Sequence, residues 1–205
     1  MSAEEAFRDF QARIAQYARA YVPVGNDEGS YVKLVDAGRQ IISSQVEGYL
    51  ASRLVFFLMQ VRPTDRPIWL TRHGESEFNV VGRIGGDAAL TAHGKDYAEL
   101  VASFVRARAA RPVVCTSTLQ QAIATAAPLA PDAQAWRAFD EIDAGVCEGL
   151  TYEEISATMP DEFSARARDK FRYRYPRGES YADVIVRLEP VIVELERQRA
   201  PVLIV

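Results

Sequence analysis

The residues best equipped for chemistry lie in one stretch, Leu70-Thr71-Arg72-His73-Gly74-Glu75-Ser76-Glu77-Phe78-Asn79, continued by Gly82-Arg83-Ile84-Gly85-Gly86-Asp87. A histidine leaving an apolar strand between an arginine and a glycine is placed to attack a bound group. The glycine lets a ligand approach the backbone, and the arginine can hold a phosphate through two parallel N–H donors. A bare Arg-His-Gly triplet reads more simply as a loop histidine making one hydrogen bond. Here Asn79 adds a neutral donor, Arg83 a second cation, and Gly82, Gly85 and Gly86 a loop able to fold over a ligand. The stretch therefore reads as a nucleophile with its clamp.

A second stretch, Phe163 to Arg177, sets Arg166, Arg168, Lys170, Arg172, Arg174 and Arg177 against the single acid Asp169, in a chain of net charge −4. A second anion fits there. An extended conformation would put Lys170, Arg172 and Arg174 on one face and Phe171, Tyr173 and Tyr175 on the other. Basic residues interleaved with aromatics also suit single-stranded nucleic acid, but the acidic remainder of the chain and the lack of an RNA-binding motif set that reading aside. Glu141, beside Asp140 and Asp143, reads by itself as an exposed loop acid. His93 reads as solvated, and Trp69, Trp136 and Cys147 as packing residues.

These stretches need elements to hold them, and the chain supplies an α/β alternation. Ile68-Trp69-Leu70, Pro112 to Cys115 and Val202-Leu203-Ile204-Val205 predict short strands. Thr91 predicts the N-cap of a helix carrying Tyr97, Val101 and Phe104, and a helical run from about Leu119 to Ala127 follows the second strand. Thr151 with Glu154, and Ser180 with Asp183, predict two more N-caps, the second opening a helix with Tyr181, Val184, Leu188, Val191 and Leu195 on one face. Short strands separated by helices imply a mostly parallel sheet, with the chemistry just past the carboxyl ends of its strands.

Ahead of this, Ser2 with Glu5 opens an amphipathic helix through Phe7, Phe10, Ile14, Tyr17 and Tyr21. A Gly/Asn/Asp loop from Gly25 to Gly29 leads into a second helical pattern through Ile42, Val46 and Tyr49, and Leu54 to Met59 reads as a buried strand. Arg62-Pro63-Thr64-Asp65-Arg66-Pro67 breaks both periods, so the domain boundary is drawn there, with 63–67 as the linker.

With 48% hydrophobic and 25% charged residues in 205, the composition excludes fibrous, disordered and membrane classes. Twenty-four basic residues against 28 acidic ones leave no global field to gather nucleic acid or anionic lipid. Two cysteines, Cys115 and Cys147, make no disulfide framework, the acidic start Met1-Ser2-Ala3-Glu4-Glu5 is no secretory signal, and the longest apolar run is far short of a membrane span. A cytoplasmic, reducing location is expected.

Together the motifs resemble the bisphosphatase half of the bifunctional 6-phosphofructo-2-kinase/fructose-2,6-bisphosphatase family, within the histidine phosphatase, or phosphoglycerate-mutase-like, superfamily. The resemblance rests on Arg72 through Asp87, on Leu90-Thr91, Gly94-Lys95 and Tyr97-Ala98, on Glu141 through Cys147, on Leu150 through Ile155, and on Asp169 through Tyr181. Residues 1–62 resemble the C-terminal remnant of its kinase module and 68–205 its phosphatase domain. The resemblance implies a three-layer α/β fold with a mostly parallel sheet flanked by helices. It implies hydrolysis of fructose 2,6-bisphosphate to fructose 6-phosphate and phosphate through a phosphohistidine at His73. By matching position, Arg72 and Asn79 would hold the transferring phosphoryl group and Glu141 would be the general acid and base. Tyr152, Arg166, Lys170 and Tyr181 would hold the 6-phosphate, and Arg83 and Gly85 would contact the substrate. No metal or cofactor is implied for the phosphatase. ATP and Mg belong to a kinase core, whose Walker loop does not occur in these residues. A homodimer stays open, and neither nucleic acid nor membrane is expected as a partner.

Two features depart from the family. It carries an arginine, a clamp on the transferring phosphoryl group, where Gln121 stands. Losing one charged donor to a transition state costs on the order of 3 kcal/mol, about a hundredfold in rate. Its second catalytic histidine, followed by a glutamine, would come immediately after the strand ending at Val205, and the 205 residues do not include it. The expectation is thus a domain truncated at its C-terminus. Beside the active phosphatase stands the alternative of a catalytically impaired domain that binds sugar phosphate or supports a kinase partner.

Overall fold

The computed structural model describes residues 2–36, 38–60 and 65–205, which divide into two units, Met1–Met59 and Gln60–Val205. In the first, Ser2 and Glu5 form the expected reciprocal cap of helix α1, Ala3–Ala20. The side chains of Phe7, Phe10, Ile14 and Tyr17 are each more than half exposed. Two expectations fail beyond it. Ile42 lies in an antiparallel hairpin of β1, Tyr31–Val35, and β2, Gln40–Ser44, rather than in a helix. Asp36, with a left-handed φ of +50°, turns the chain back so that Val35 faces Gln40. Cross-strand pairing of this kind depends on a partner that a single segment's periodicity does not contain. Leu54 to Met59 belongs to helix α2, Tyr49–Gln60, not to a buried strand. A short apolar run is compatible with either, and here helix formers ahead of it extend the pattern to 12 residues. Arg53 lies over the Tyr49 ring one turn away.

Of the expected linker, 63 and 64, like Arg62 before them, lie outside the described residues. Arg66 and Pro67 are tied into the second unit. The Arg66 guanidinium donates to the Leu195 carbonyl at 2.9 Å and pairs with Glu196 at 3.4 Å, and the Pro67 carbonyl accepts from the Val202 N–H.

The second unit is built on a wholly parallel sheet of β3, Ile68–Leu70, β4, Val113–Thr116, β5, Gln134–Ala135, and β6, Val202–Ile204, in the order β3-β6-β4-β5. Side-chain alternation makes the layers. Leu203 and Val114 point to one face, where they pack with Val105 of α4, Ala92–Arg106, and with Ala122 and Ala126 of α5, Gln120–Ala126. Val202, Ile204 and Cys115 point to the other, against Leu195 of α8, Tyr181–Arg197, and Phe139. Every strand residue of β6 is buried, as a central parallel strand requires. This is the expected α/β fold, a parallel sheet flanked by helices. Three short helices complete it: α3, Glu77–Val80, α6, Tyr152–Thr158, and α7, Pro160–Arg168. Thr91 caps α4, and the boxes of Thr151 with Glu154 and Ser180 with Asp183 form as the sequence predicts.

The segment after α7 corrects one expectation. The Asp169 carbonyl accepts the Tyr173 N–H at 2.8 Å and its carboxylate accepts the Arg172 N–H at 3.0 Å. Residues 169–173 are therefore a turn, without two faces. Tyr173 and Tyr175 lie ring edge to ring face, 5.2 Å apart, and pack in one cluster with Cys147 and Ile155. No described helix is long and apolar enough to cross a membrane.

The start of α8 supplies a stability test. Asp183 accepts from the Ser180 N–H and hydroxyl at 2.7 and 2.6 Å and pairs with Arg174. The Ser180 hydroxyl first, then its N–H, hold the Asp183 carboxyl below the ordinary range. A depressed carboxyl stabilises the fold above its unfolded value, and that contribution is lost as pH falls through the folded one. Ser180→Ala is expected to cost about 1 kcal/mol in urea unfolding at pH 7, the usual loss of a helix N-cap. Asp183 then titrates nearer its ordinary range, so the variant's acid loss is smaller and is complete at a higher pH.

Candidate active site

The chain leaves the carboxyl end of β3 through Thr71, whose N–H bonds the Ile204 carbonyl, and turns at Arg72-His73-Gly74. The Gly74 N–H donates to the Thr125 hydroxyl at 2.9 Å, and Thr125 donates to the Gln121 carbonyl at 2.7 Å, which ties the turn to α5. A Cβ on Gly74 would lie 2.3 Å from the Gly94 carbonyl oxygen, and one on Gly94 would lie 2.1 Å from the Glu75 carbonyl oxygen. Two glycines in contact are what let the turn sit on the first turn of α4. His73 Nδ1 is 2.7 Å from the Gly74 carbonyl. A carbonyl only accepts, so Nδ1 carries the proton, and in the neutral ring Nε2 keeps its lone pair. That is the tautomer of a nitrogen nucleophile.

His73 lines a cavity of about 200 Å³, and with it stand Arg72, Asn79, Arg83, Gly85, Glu141, Tyr152, Arg166 and Tyr181. The structure thus brings together all the sequence-predicted site residues except one. Lys170 stays outside the cavity, its Nζ 5.8 Å from the centre of the Tyr181 ring. The cations differ in kind. Arg72 has no ion pair among the described residues. Arg83 donates to the Gly149 carbonyl and lies 3.4 Å from Glu154, so its charge is partly spent on the loop. Arg166 donates to the Tyr175 hydroxyl at 2.7 Å and to the Tyr152 hydroxyl at 2.9 Å, and lies 4.8 Å over the Tyr152 ring. It is held rigidly by two phenol hydroxyls and, among the described residues, pairs with no carboxylate, as an anion receptor needs. Asn79 spends its carbonyl oxygen on the Ser76 N–H at 3.0 Å, which leaves its amide N–H donors for a ligand.

Sequence reasoning missed three residues here. Tyr175, 6% exposed, is the phenol that orients Arg166. Burial, against the opposing pull of Arg166, pushes its hydroxyl up from the ordinary range, so it stays neutral. The alternation had placed it on a separate apolar face, and no local signal marks the turn that brings it in. Glu148 joins two loops, accepting from the Ala144 N–H at 2.7 Å and from the Gly86 N–H. A Cβ on Gly85, at φ +62°, would overlap its carboxylate. Arg187 lines a neighbouring, larger cavity of about 370 Å³, which shares Gly85, Glu141 and Ile142 with the first but does not include His73. Gln121 is 2% exposed and donates to the Gly86 carbonyl at 3.1 Å. It braces the glycine loop where the sequence reading set a missing clamp. Among the described residues no three His, Cys, Asp or Glu side chains are grouped to hold a metal ion.

Comparison with known proteins gives three findings. The model of the histidine phosphatase superfamily (branch 1) matches residues 68–205, and that of 6-phosphofructo-2-kinase matches residues 1–65. A relative from Arabidopsis thaliana, named 6-phosphofructo-2-kinase/fructose-2,6-bisphosphatase, is 53% identical over all of this chain and 28% of its own length. One of the same name from Gallus gallus is 49% identical over 95% of this chain and 42% of its own length. The chain thus spans less than half the length of these curated relatives. Among solved structures, the alpha-ribazole phosphatase of Shigella flexneri is 25% identical over 67% of this chain and 71% of its own, with a TM-score of 0.62. YhfR of Bacillus stearothermophilus is 30% identical over 67% of this chain and 72% of its own, with a TM-score of 0.59.

Proposed function

The chain belongs to the histidine phosphatase superfamily (branch 1), and we propose that it hydrolyses fructose 2,6-bisphosphate to fructose 6-phosphate and phosphate through a phosphohistidine at His73. One observation carries the reading. A ring nitrogen with a free lone pair shares a small cavity with two guanidinium groups, Arg72 and Arg166, that have no carboxylate partner among the described residues. The names of the relatives supply the substrate.

In the first step Nε2 of neutral His73 attacks phosphorus at the 2-position. The N–P bond forms as the P–O bond to the sugar breaks, and the Glu141 carboxyl gives its proton to the departing oxygen. Charge spread over the phosphoryl oxygens is met by Arg72 and the Asn79 amide. A water then attacks the phosphohistidine, the P–N bond breaks, and the Glu141 carboxylate takes the water proton as phosphate leaves. Arg166, with Tyr152 and Tyr181, holds the 6-phosphate at the far end of the sugar, and Lys170 adds charge from outside. Residues 1–62 are the closing part of a kinase module, a reading supported by the 6-phosphofructo-2-kinase match over 1–65.

Incubation with substrate labelled at the 2-phosphate is expected to leave acid-labile label on the protein and none on His73→Ala; label kept by the variant rules His73 out. Arg166→Ala is expected to raise KM for the sugar bisphosphate by about tenfold to a hundredfold, the worth of hydrogen bonds to a charged group, with a smaller effect on binding of inorganic phosphate. Equal losses would remove Arg166 from the sugar-phosphate subsite. A second reading, a catalytically impaired domain that still binds sugar phosphate, is favoured by the Gln121 amide donating to Gly86. Gln121→Arg is expected to speed phosphorylation of His73 by about a hundredfold if a charged donor is what that position lacks. An unchanged rate means that it is not.

A further inference from the structure

Glu141 stands on a loop that is held by its backbone, and the residue that holds it lies on α8. Arg187, its side chain 21% exposed, donates from Nη1 to the Ala138 carbonyl and from Nη2 to the carbonyls of Asp140 at 2.6 Å and Glu141 at 3.3 Å. The same guanidinium is paired with Glu179 at 2.9 and 3.2 Å. Glu179 in turn accepts the Asp143 N–H at 3.1 Å and donates its own N–H to the Asp143 carbonyl at 2.8 Å. Three carbonyls and one N–H on either side of the acid therefore end on a single ion pair. From the sheet side, the Asp140 carboxylate accepts the Thr118 N–H at 2.7 Å and its hydroxyl at 2.8 Å. The Glu141 side chain makes no hydrogen bond among the described residues and borders both cavities. Its aim is set by the backbone beneath it.

We propose that Arg187, oriented by Glu179, is a positioning residue for Glu141: it sets the distance from the acid to the leaving oxygen without touching the substrate. This rests on the reading of Glu141 as the general acid. Arg187 lines the larger cavity and not the one with His73, so its effect on chemistry passes through the loop. A planar guanidinium can serve a carboxylate along one edge and carbonyls along the others at once, whereas an ammonium group is a point charge on a flexible stem and cannot span them. With the span broken, three carbonyls lose donors and the loop shifts. A displacement near 1 Å costs on the order of a hundredfold in rate when a catalytic group is aimed at a reacting atom.

The test separates positioning from stability through the leaving group. A sugar alkoxide needs a proton to leave, while 2,4-dinitrophenolate leaves without one. Release of fructose 6-phosphate from fructose 2,6-bisphosphate, and of dinitrophenolate from 2,4-dinitrophenyl phosphate, is measured in a single turnover per folded protein. Arg187→Lys is expected to slow the sugar ester by about tenfold to a hundredfold and the aryl ester by no more than about twofold. Glu141→Gln is expected to show the same selectivity, and the double variant to be no slower than Glu141→Gln alone. Equal slowing of both esters by Arg187→Lys, or a double variant whose loss is the product of the single losses, overturns the proposal and leaves Arg187 a stabilising residue. If Glu141→Gln slows both esters alike, the reading of Glu141 as the acid fails instead. A wild-type protein that turns over neither ester overturns both. Should Arg187→Lys not fold, Glu179→Gln takes its place, since it keeps the guanidinium and relaxes only its orientation, and the same outcomes decide.

Discussion

The site depends on the absence of a side chain at Gly74. The turn that carries His73 out of the sheet is pressed against the first turn of α4, with Gly74 facing Gly94, and is pinned from a third side by the Thr125 hydroxyl of α5. Three elements distant in sequence converge there because β6 lies between β3 and β4. A parallel sheet brings all carboxyl ends to one edge, so the turn after β3 and the helix after β4 emerge side by side. The imidazole can then use its own neighbour's carbonyl to fix its tautomer. A side chain at either glycine would separate the turn from α4 and move the ring with it.

Around that fixed ring the arginines divide by what neutralises them. Arg83 and Arg187 each have a carboxylate partner that takes up part of their charge. Arg72 and Arg166 have none among the described residues and face the cavity. Holding a guanidinium with phenol hydroxyls keeps its full charge for a ligand. The arrangement is tolerable because the cavity is open to water until a ligand replaces it. Once water is excluded the same charges act in a lower dielectric and bind an anion more strongly. The upward push on the Tyr175 hydroxyl belongs to this scheme, since an ionised phenol there would cancel the charge it orients.

Much of this was legible in the residues, and the limits have physical causes. The caps at Ser2, Thr91, Thr151 and Ser180 and the strand segments at 68–70 and 202–204 were readable because each is set by residues a few positions apart. The cavity's main members were readable because Arg72, His73, Asn79, Arg83 and Gly85 share one stretch of chain. The hairpin at 31–44 was missed because its periodicity shows only when the two strands are laid side by side. The turn after α7 was missed because Asp169, which closes it, reads as the lone acid of a basic run. Arg187 gave no signal at all. In the sequence it is a basic residue on an amphipathic helix, and its work lies in backbone carbonyls of a loop some forty-seven residues away.

Gln121 links the His73 turn to the glycine loop. It sits at the start of α5, whose Thr125 pins the His73 turn, with its amide N–H2 on the Gly86 carbonyl and its side-chain carbonyl oxygen buried, with no hydrogen-bond partner among the described residues. The loop it braces is also held by Glu148, through the Gly86 N–H, so Gly86 is gripped by both of its polar backbone groups. Glu148 extends the grip to Ala144 and hence to the end of the Glu141 loop. A neutral amide at 121 therefore joins α5, which pins the His73 turn, to the glycine loop without adding charge to the cavity. The positive charge facing the cavity then comes from Arg72, from Arg166 and from the part of Arg83 that Glu154 leaves unspent.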